Sequence, residues 1–221
     1  MIEQMHISKD PHQGQTIRMA GEPLVQARAA MMMLHGRGAR AEDILSLAGP
    51  LLLPGYAFLA PQAANNIWYP NQFLAPLDSN EPWLSSALAM VSTVLAQLDS
   101  AGIPTERVIL LGFSQGACLA LEFAARNRRR YGGVAGLSGG LIGPPDTPRD
   151  YPAELAGTPV FLGCSDSDPY IPKERVDDSA EVIRRLGGSV TERLYPNLDH
   201  LVNQDEIDFV RGMMQAVLTN P

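Results

Sequence analysis

Short apolar runs alternate with longer amphipathic ones along most of this chain. The runs at 29–34, 56–60, 108–113, 133–137 and 160–163 are each bounded by Gly, Pro or polar residues. They are not strictly alternating, which is the pattern of strands buried on both faces of a parallel sheet. A further run, 189–195, does alternate and fits an edge strand. Leu84, Leu88, Val91, Leu95 and Leu98 recur at helical spacing, with Pro82 suited to the first turn and Ala101-Gly102 to the stop. Ile207, Val210, Met214 and Val217 repeat that stripe near the C-terminus. Val176, Ala180 and Ile183 form a weaker one, closed by Gly187-Gly188. Residues 41–53 also read as helix, broken or kinked at Gly49-Pro50. Residues 119–125 are apolar nearly all round, so that helix belongs buried under the sheet.

Strand–helix alternation of this kind predicts an α/β chain with a mainly parallel central sheet and helices on both faces. Residues 10–27 add one or two antiparallel strands to that expectation. The length of 221 residues fits one domain over 1–221. The first 15 residues are polar and mixed, and are expected to be disordered. Two connections are long, 61–81 and 139–154, and long loops in compact domains tend to carry function.

Composition narrows the function classes. A formal net charge of −7 argues against a nucleic-acid partner. The basic run at 126–130 falls where a helix should end, a favourable place for cations. Cys118 and Cys164 both lie in apolar stretches and read as small buried hydrophobes, with no disulfide framework. The N-terminus has no apolar signal core, and no run approaches the ~20 residues that span a bilayer. A cytoplasmic protein without stable membrane insertion is therefore expected. No histidine pair, cysteine pair or carboxylate cluster has metal-ligand spacing, and no dinucleotide or phosphate loop occurs, so neither metal nor cofactor is expected.

The strongest chemical signal is Gly112-Phe113-Ser114-Gln115-Gly116, placed between the strand at 108–113 and the buried helix. Strand before and helix after make this G-x-S-x-G a nucleophile elbow. The serine must sit in a strained turn that crowds positions 112 and 116, which is why both are glycine. A serine hydroxyl needs a base. With the chain order Ser, acid, His, His200 qualifies, in Tyr195-Pro196-Asn197-Leu198-Asp199-His200. His6 and His12 sit in the polar N-terminal segment and are set aside. His35, in Leu34-His35-Gly36-Arg37-Gly38, is expected to hold its loop by hydrogen bonds. The acid follows the strand at 160–163, where Asp168 is favoured over Asp166 because Pro169 would fix the turn after it. Asp166 is then expected to hydrogen-bond that turn. Asp168 would orient the imidazole and stabilise its charged form. The oxyanion needs preorganised N–H donors. Gln115 offers one, as the residue after the nucleophile, and Arg37 in the glycine-flanked loop offers the second. The Arg37 side chain is expected to face solvent.

These residues resemble the phospholipase/carboxylesterase branch of the α/β-hydrolases, which includes acyl-protein thioesterases. The resemblance runs from about residue 29 to 214. It rests on LHGRGA at 34–39, LAPQA at 59–63, GFSQGACLAL at 112–121, LSGG at 137–140, SDPYIP at 167–172 and YPNLDH at 195–200. It implies an α/β-hydrolase fold with a minimal lid or none, and a cofactor-free hydrolase of short acyl esters or thioesters, often a homodimer. Carried over by position, it gives Ser114, Asp168 and His200 as triad, and Arg37 and Gln115 as oxyanion donors. One departure is Asp199, where the family often has glycine.

Substrate preference is less constrained. Trp68, Tyr69 and Phe73 in the first long loop, and Leu141 and Ile142 in the second, either rim the acyl pocket or pack into the core. The segment Asn65-Asn66-Ile67-Trp68-Tyr69-Pro70 also resembles a bacterial sub-branch related to dienelactone hydrolases, which hints at aromatic or small cyclic esters. A serine in the elbow counts against a direct match, since true dienelactone hydrolases use cysteine. The rival from another class is a non-catalytic binding protein on a hydrolase fold, which would have no use for Ser, Asp and His together.

Overall fold

The computed structural model describes residues 10–127, 129–151 and 154–219. Seven strands form one sheet: β1 (Ile17–Gly21), β2 (Ala29–Leu34), β3 (Tyr56–Pro61), β4 (Val108–Phe113), β5 (Gly133–Leu137), β6 (Pro159–Ser165) and β7 (Ser189–Tyr195). Their order is β1-β3-β2-β4-β5-β6-β7. Strand β1 is antiparallel to β3 and every other pairing is parallel. Residues 10–27 thus supply one extra strand. The 189–195 run is the opposite edge, paired in parallel with β6.

Helices cover both faces, as the fully buried strands require. Successive side chains of a strand point to opposite faces. Accordingly Met32, Leu34, Leu110 and Leu162 pack with α3 (Trp83–Ser100), α4 (Gln115–Arg126) and α5 (Lys173–Arg185). Met31, Met33, Ile109, Leu111 and Phe161 pack with α1 (Ala41–Leu45), α2 (Ala48–Leu51) and α6 (Gln204–Thr219). This is the α/β-hydrolase architecture expected from the sequence. The break within 41–53 comes earlier than Gly49-Pro50, at Ser46-Leu47. Pro50 lies in the first turn of α2, where its missing N–H costs nothing.

The N-terminal expectation divides. Residues 1–9 lie outside the described residues. From Asp10 onward the chain is tied down, against the disorder expected up to residue 15. His12 is buried, donates its main-chain N–H to Ser86 Oγ at 2.9 Å, and places its ring against Trp68 and Trp83. The histidine set aside as part of a polar tail is a core residue, held by partners more than fifty positions away in sequence. In the basic run, Arg126 pairs with the buried Glu122 at 2.7 Å and Arg130 donates to the Ala156 carbonyl, while Arg128 lies outside the described residues. No helix among the described residues is long and apolar enough to cross a membrane.

Topology fixes where a site can form. From β2 the chain crosses to β3 on one side, and from β4 it crosses to β5 on the other. The loops leaving the C-terminal ends of adjacent β2 and β4 diverge there and open a crevice, the usual ligand position in such sheets. The Arg37 loop and Ser114 lie at that switch point.

Candidate active site

Ser114 occupies a left-handed conformation, φ 54° and ψ −119°, immediately before α4. Such strain in a non-glycine residue persists only where surroundings over-determine it. Here they do. A Cβ at position 112 would lie 2.2 Å from the Gly116 carbonyl oxygen, so the turn admits only glycine there. A Cβ at 116 would meet the Leu34 carbonyl oxygen at 2.1 Å. The second glycine is therefore demanded by close approach of α4 to the end of β2, rather than by its partner across the turn.

The loop after β2 lies against the elbow. A Cβ added to Gly36 would be 3.5 Å from the Ser114 Cβ. Gly38 has φ +78° and donates its N–H to the Asn66 carbonyl at 2.7 Å. The main-chain N–H groups of Arg37 and Gln115 have no hydrogen-bond partner among the described residues. That of Gln115 is the first in its helix, where no intrahelical acceptor exists and the dipole is positive. Arg37 and Gln115 line the same cavity as Ser114.

Asp168 and His200 meet as the sequence suggests. His200 Nδ1 donates to Asp168 Oδ2 at 2.7 Å, a bond that does not engage Nε2. The Asp168 side chain is wholly buried. Its Oδ1 accepts from the N–H groups of Tyr170 at 2.8 Å and Ile171 at 3.0 Å, and the Cys164 thiol approaches Oδ2 at 3.7 Å. The His200 ring lies between Phe113 and Tyr170, with centroids 4.9 and 5.0 Å away. Asp166 instead accepts from the Asn197 N–H at 3.0 Å and ties the two loops together. Asp199 has φ 63°. The family's glycine preference is explained by that left-handed backbone, which aspartate tolerates better than most residues.

Ser114 and His200 share one cavity of about 620 Å³, within the range of small-molecule sites. Apolar side chains of Tyr69, Phe73, Leu74, Phe113 and Ile171 line it, together with Arg37, Gln115 and Cys118. Of the candidate pocket residues, Tyr69 and Phe73 are therefore at the cavity. Trp68 and Leu141 are not. Trp68 is fully buried and donates its indole N–H to the His35 carbonyl at 2.8 Å, an acceptor that a rim position would not supply. Leu141 and Ile142 are buried, held by partners on α4 and α5. The Ile142 N–H donates to Glu122 at 3.0 Å and the Leu141 N–H to Ser179 Oγ at 2.9 Å.

The Arg37 side chain is exposed, as expected, yet it is not idle. Its guanidinium donates to the carbonyls of Tyr69, Pro70 and Asn71 at 2.9, 2.9 and 2.5 Å. The Gln115 side chain grips the same peptide segment, accepting from the Trp68 N–H at 2.9 Å and donating to the Tyr69 carbonyl at 2.8 Å. Both candidate oxyanion residues thus use their side chains to fix the loop that walls the cavity. His35 completes this scaffold as expected. Its Nδ1 donates to the Gly36 carbonyl at 2.8 Å and its Nε2 accepts from the Ala63 N–H at 3.1 Å. Burial holds its pKa below the ordinary histidine value, so the ring stays neutral. No cluster of His, Cys, Asp or Glu among the described residues has the geometry to hold a metal ion.

The chain is similar to several known proteins. A solved phospholipase/carboxylesterase from Dyadobacter fermentans is 42% identical, with a TM-score of 0.86 over 93% of this chain and 97% of that one. Acyl-protein thioesterase 1 of Gibberella zeae is 33% identical over 131 residues, which are 55% of this chain and 52% of that protein. The match thus spans about half the length of that curated relative. Acyl-protein thioesterase 2 of Zea mays shares the fold at 21% identity, with a TM-score of 0.71 over 92% of this chain and 99% of that one. The phospholipase/carboxylesterase family pattern matches residues 20–218, nearly the whole chain, and the protein belongs to that family.

Proposed function

We propose that this protein is a serine carboxylesterase or thioesterase that hydrolyses small acyl or aryl esters through an acyl-enzyme. The observation that carries the reading is the strained Ser114 in one cavity with His200, whose Nδ1 is committed to buried Asp168. With Nδ1–H donating to the carboxylate, Nε2 is the free lone pair and acts as base. Ser114 Oγ attacks the carbonyl carbon as its proton passes to Nε2. The carbonyl π pair moves onto oxygen, where the N–H groups of Arg37 and Gln115 hold it. Collapse expels the alcohol or thiol, which takes the proton from His200. Water then repeats the sequence on the acyl-enzyme and frees the acid.

Tyr69 and Phe73 give the acyl group an apolar wall, and Arg37 and Gln115 fix that wall relative to the donors. The test is hydrolysis of p-nitrophenyl esters from acetate to octanoate by wild type and Ser114→Ala. Loss of the nucleophile should lower kcat by about 10⁶-fold. Equal rates in both proteins would overturn the reading.

A further inference from the structure

One buried charge is used by none of these steps. Glu206 stands in the first turn of α6, is fully buried, and enters no ion pair among the described residues. Its Oε2 accepts from the Asn203 N–H at 2.8 Å, while Asn203 Oδ1 accepts from the Glu206 N–H at 3.0 Å. This reciprocal pair is a capping box. It fastens the end of the loop that carries His200, three residues upstream. Among the described residues the other oxygen, Oε1, has no hydrogen-bond partner, and neither does Asn203 Nδ2. Oε1 presses on β6 so closely that a Cβ at Gly163 would stand 2.2 Å from it. The next residue is Cys164, whose thiol touches Asp168. One carboxylate therefore braces both the strand end leading to Asp168 and the loop leading to His200.

We propose that Glu206 is a positioning residue for the Asp168–His200 pair, and that its ionised form is the one that holds the His200 loop. This rests on the reading of His200 as the base. An ionised carboxylate accepts the Asn203 N–H far better than a neutral one. Protonation weakens that tie and adds an O–H that needs an acceptor. The groups facing Glu206 give it no counter-charge. Asp205 on the same helix is engaged by Arg193 at 2.6 Å and Tyr195 at 2.7 Å from β7, and β6 offers the Cys164 thiol. Burial first, then the Asp205 charge, push the Glu206 pKa up to about 7, against the pull of the Asn203 N–H. The switch between the two forms falls within the range in which a histidine base operates.

The experiment is kcat/KM for p-nitrophenyl butyrate from about pH 5 to 9 in wild type, Glu206→Gln, Glu206→Ala and Ser114→Ala. The wild-type acid limb should be steeper than one proton allows, since His200 and Glu206 must both lose protons. Glu206→Gln keeps an acceptor for Asn203 but cannot ionise, so its limb should fall to one-proton slope. Glu206→Ala should lower kcat about tenfold with KM little changed, inside the ~10²-fold that ångström misplacement can cost. Superimposable limbs in wild type and Glu206→Gln would overturn the proposal alone, and would do so even if the alanine variant failed to fold. A folded alanine variant with wild-type kcat would also overturn it. A wild type no faster than Ser114→Ala would overturn the serine-hydrolase reading and this proposal with it.

Discussion

The two walls of the cavity are built on opposite principles. On the oxyanion side, the loop after β2 and the segment 62–73 are cross-linked by His12, His35, Arg37, Trp68 and Gln115, almost entirely through main-chain carbonyls and N–H groups. Its two histidines are buried, and burial keeps both neutral. On the acid–base side, the loops after β6 and β7 are tied instead by carboxylate and hydroxyl side chains, those of Asp166, Asp168 and Ser165, that accept main-chain N–H groups. His200 is held by one carboxylate and two rings. The difference follows from what each side must do. Donors for a developing oxyanion work best when nothing moves. A base has to gain and lose a proton, so its surroundings must accommodate both forms. On the proposed mechanism histidine serves on both sides, as a strut or as a base, and its environment decides which.

Three substitutions would break or sharpen that contrast. The largest effect is expected from Asp168→Asn. It should leave the fold intact and lower kcat by about 10⁴-fold, because an amide favours the wrong imidazole tautomer. Steady-state kinetics beside a thermal melt will read it, and a kcat within tenfold of wild type would remove Asp168 from the mechanism. Trp68→Ala attacks the other wall. It should cost about 3–5 kcal/mol of stability, through a large cavity and an orphaned His35 carbonyl. In denaturant titration the midpoint should fall, while the ranking of alkyl and aryl esters stays as in wild type. A changed ranking at unchanged stability would put the indole back at the rim. The smallest effect is expected from Asp199→Gly, which relieves the left-handed position and should stabilise by about 0.5–1 kcal/mol. A destabilised glycine variant would mean that the Asp199 side chain holds the loop.

The sequence made one kind of information plain and concealed another. Strands, helices, the elbow and the chain order of Ser114, Asp168 and His200 were legible, because they are written in periodicity and in residue types forced by backbone geometry. Gly112 and Gly116 are the clearest case, since a Cβ at either would collide with main chain. The destinations of loop side chains were not legible. Trp68 and the Arg37 guanidinium both end on main-chain carbonyls, and a carbonyl carries no residue identity that a sequence could reveal. His12 was misplaced for a related reason, as its ring nitrogens meet Ala64 and Trp68 across a long span of chain. Glu206 was half visible. Asn203 followed three positions later by glutamate is a capping signature, but nothing local announces that this carboxylate is buried against Gly163.

Cys118 stands one helical turn after Ser114 and lines the same cavity. Burial pushes its thiol up to about 12, so it carries almost no thiolate at neutral pH. On the proposed mechanism, the pocket therefore offers incoming electrophiles the Ser114 hydroxyl rather than the Cys118 thiol. A serine-directed phosphonylating probe should find Ser114, whereas an alkylating reagent that enters the same space meets sulfur in its unreactive form. Selective covalent ligands for this protein would be distinguished by the chemistry of their warhead rather than by their shape.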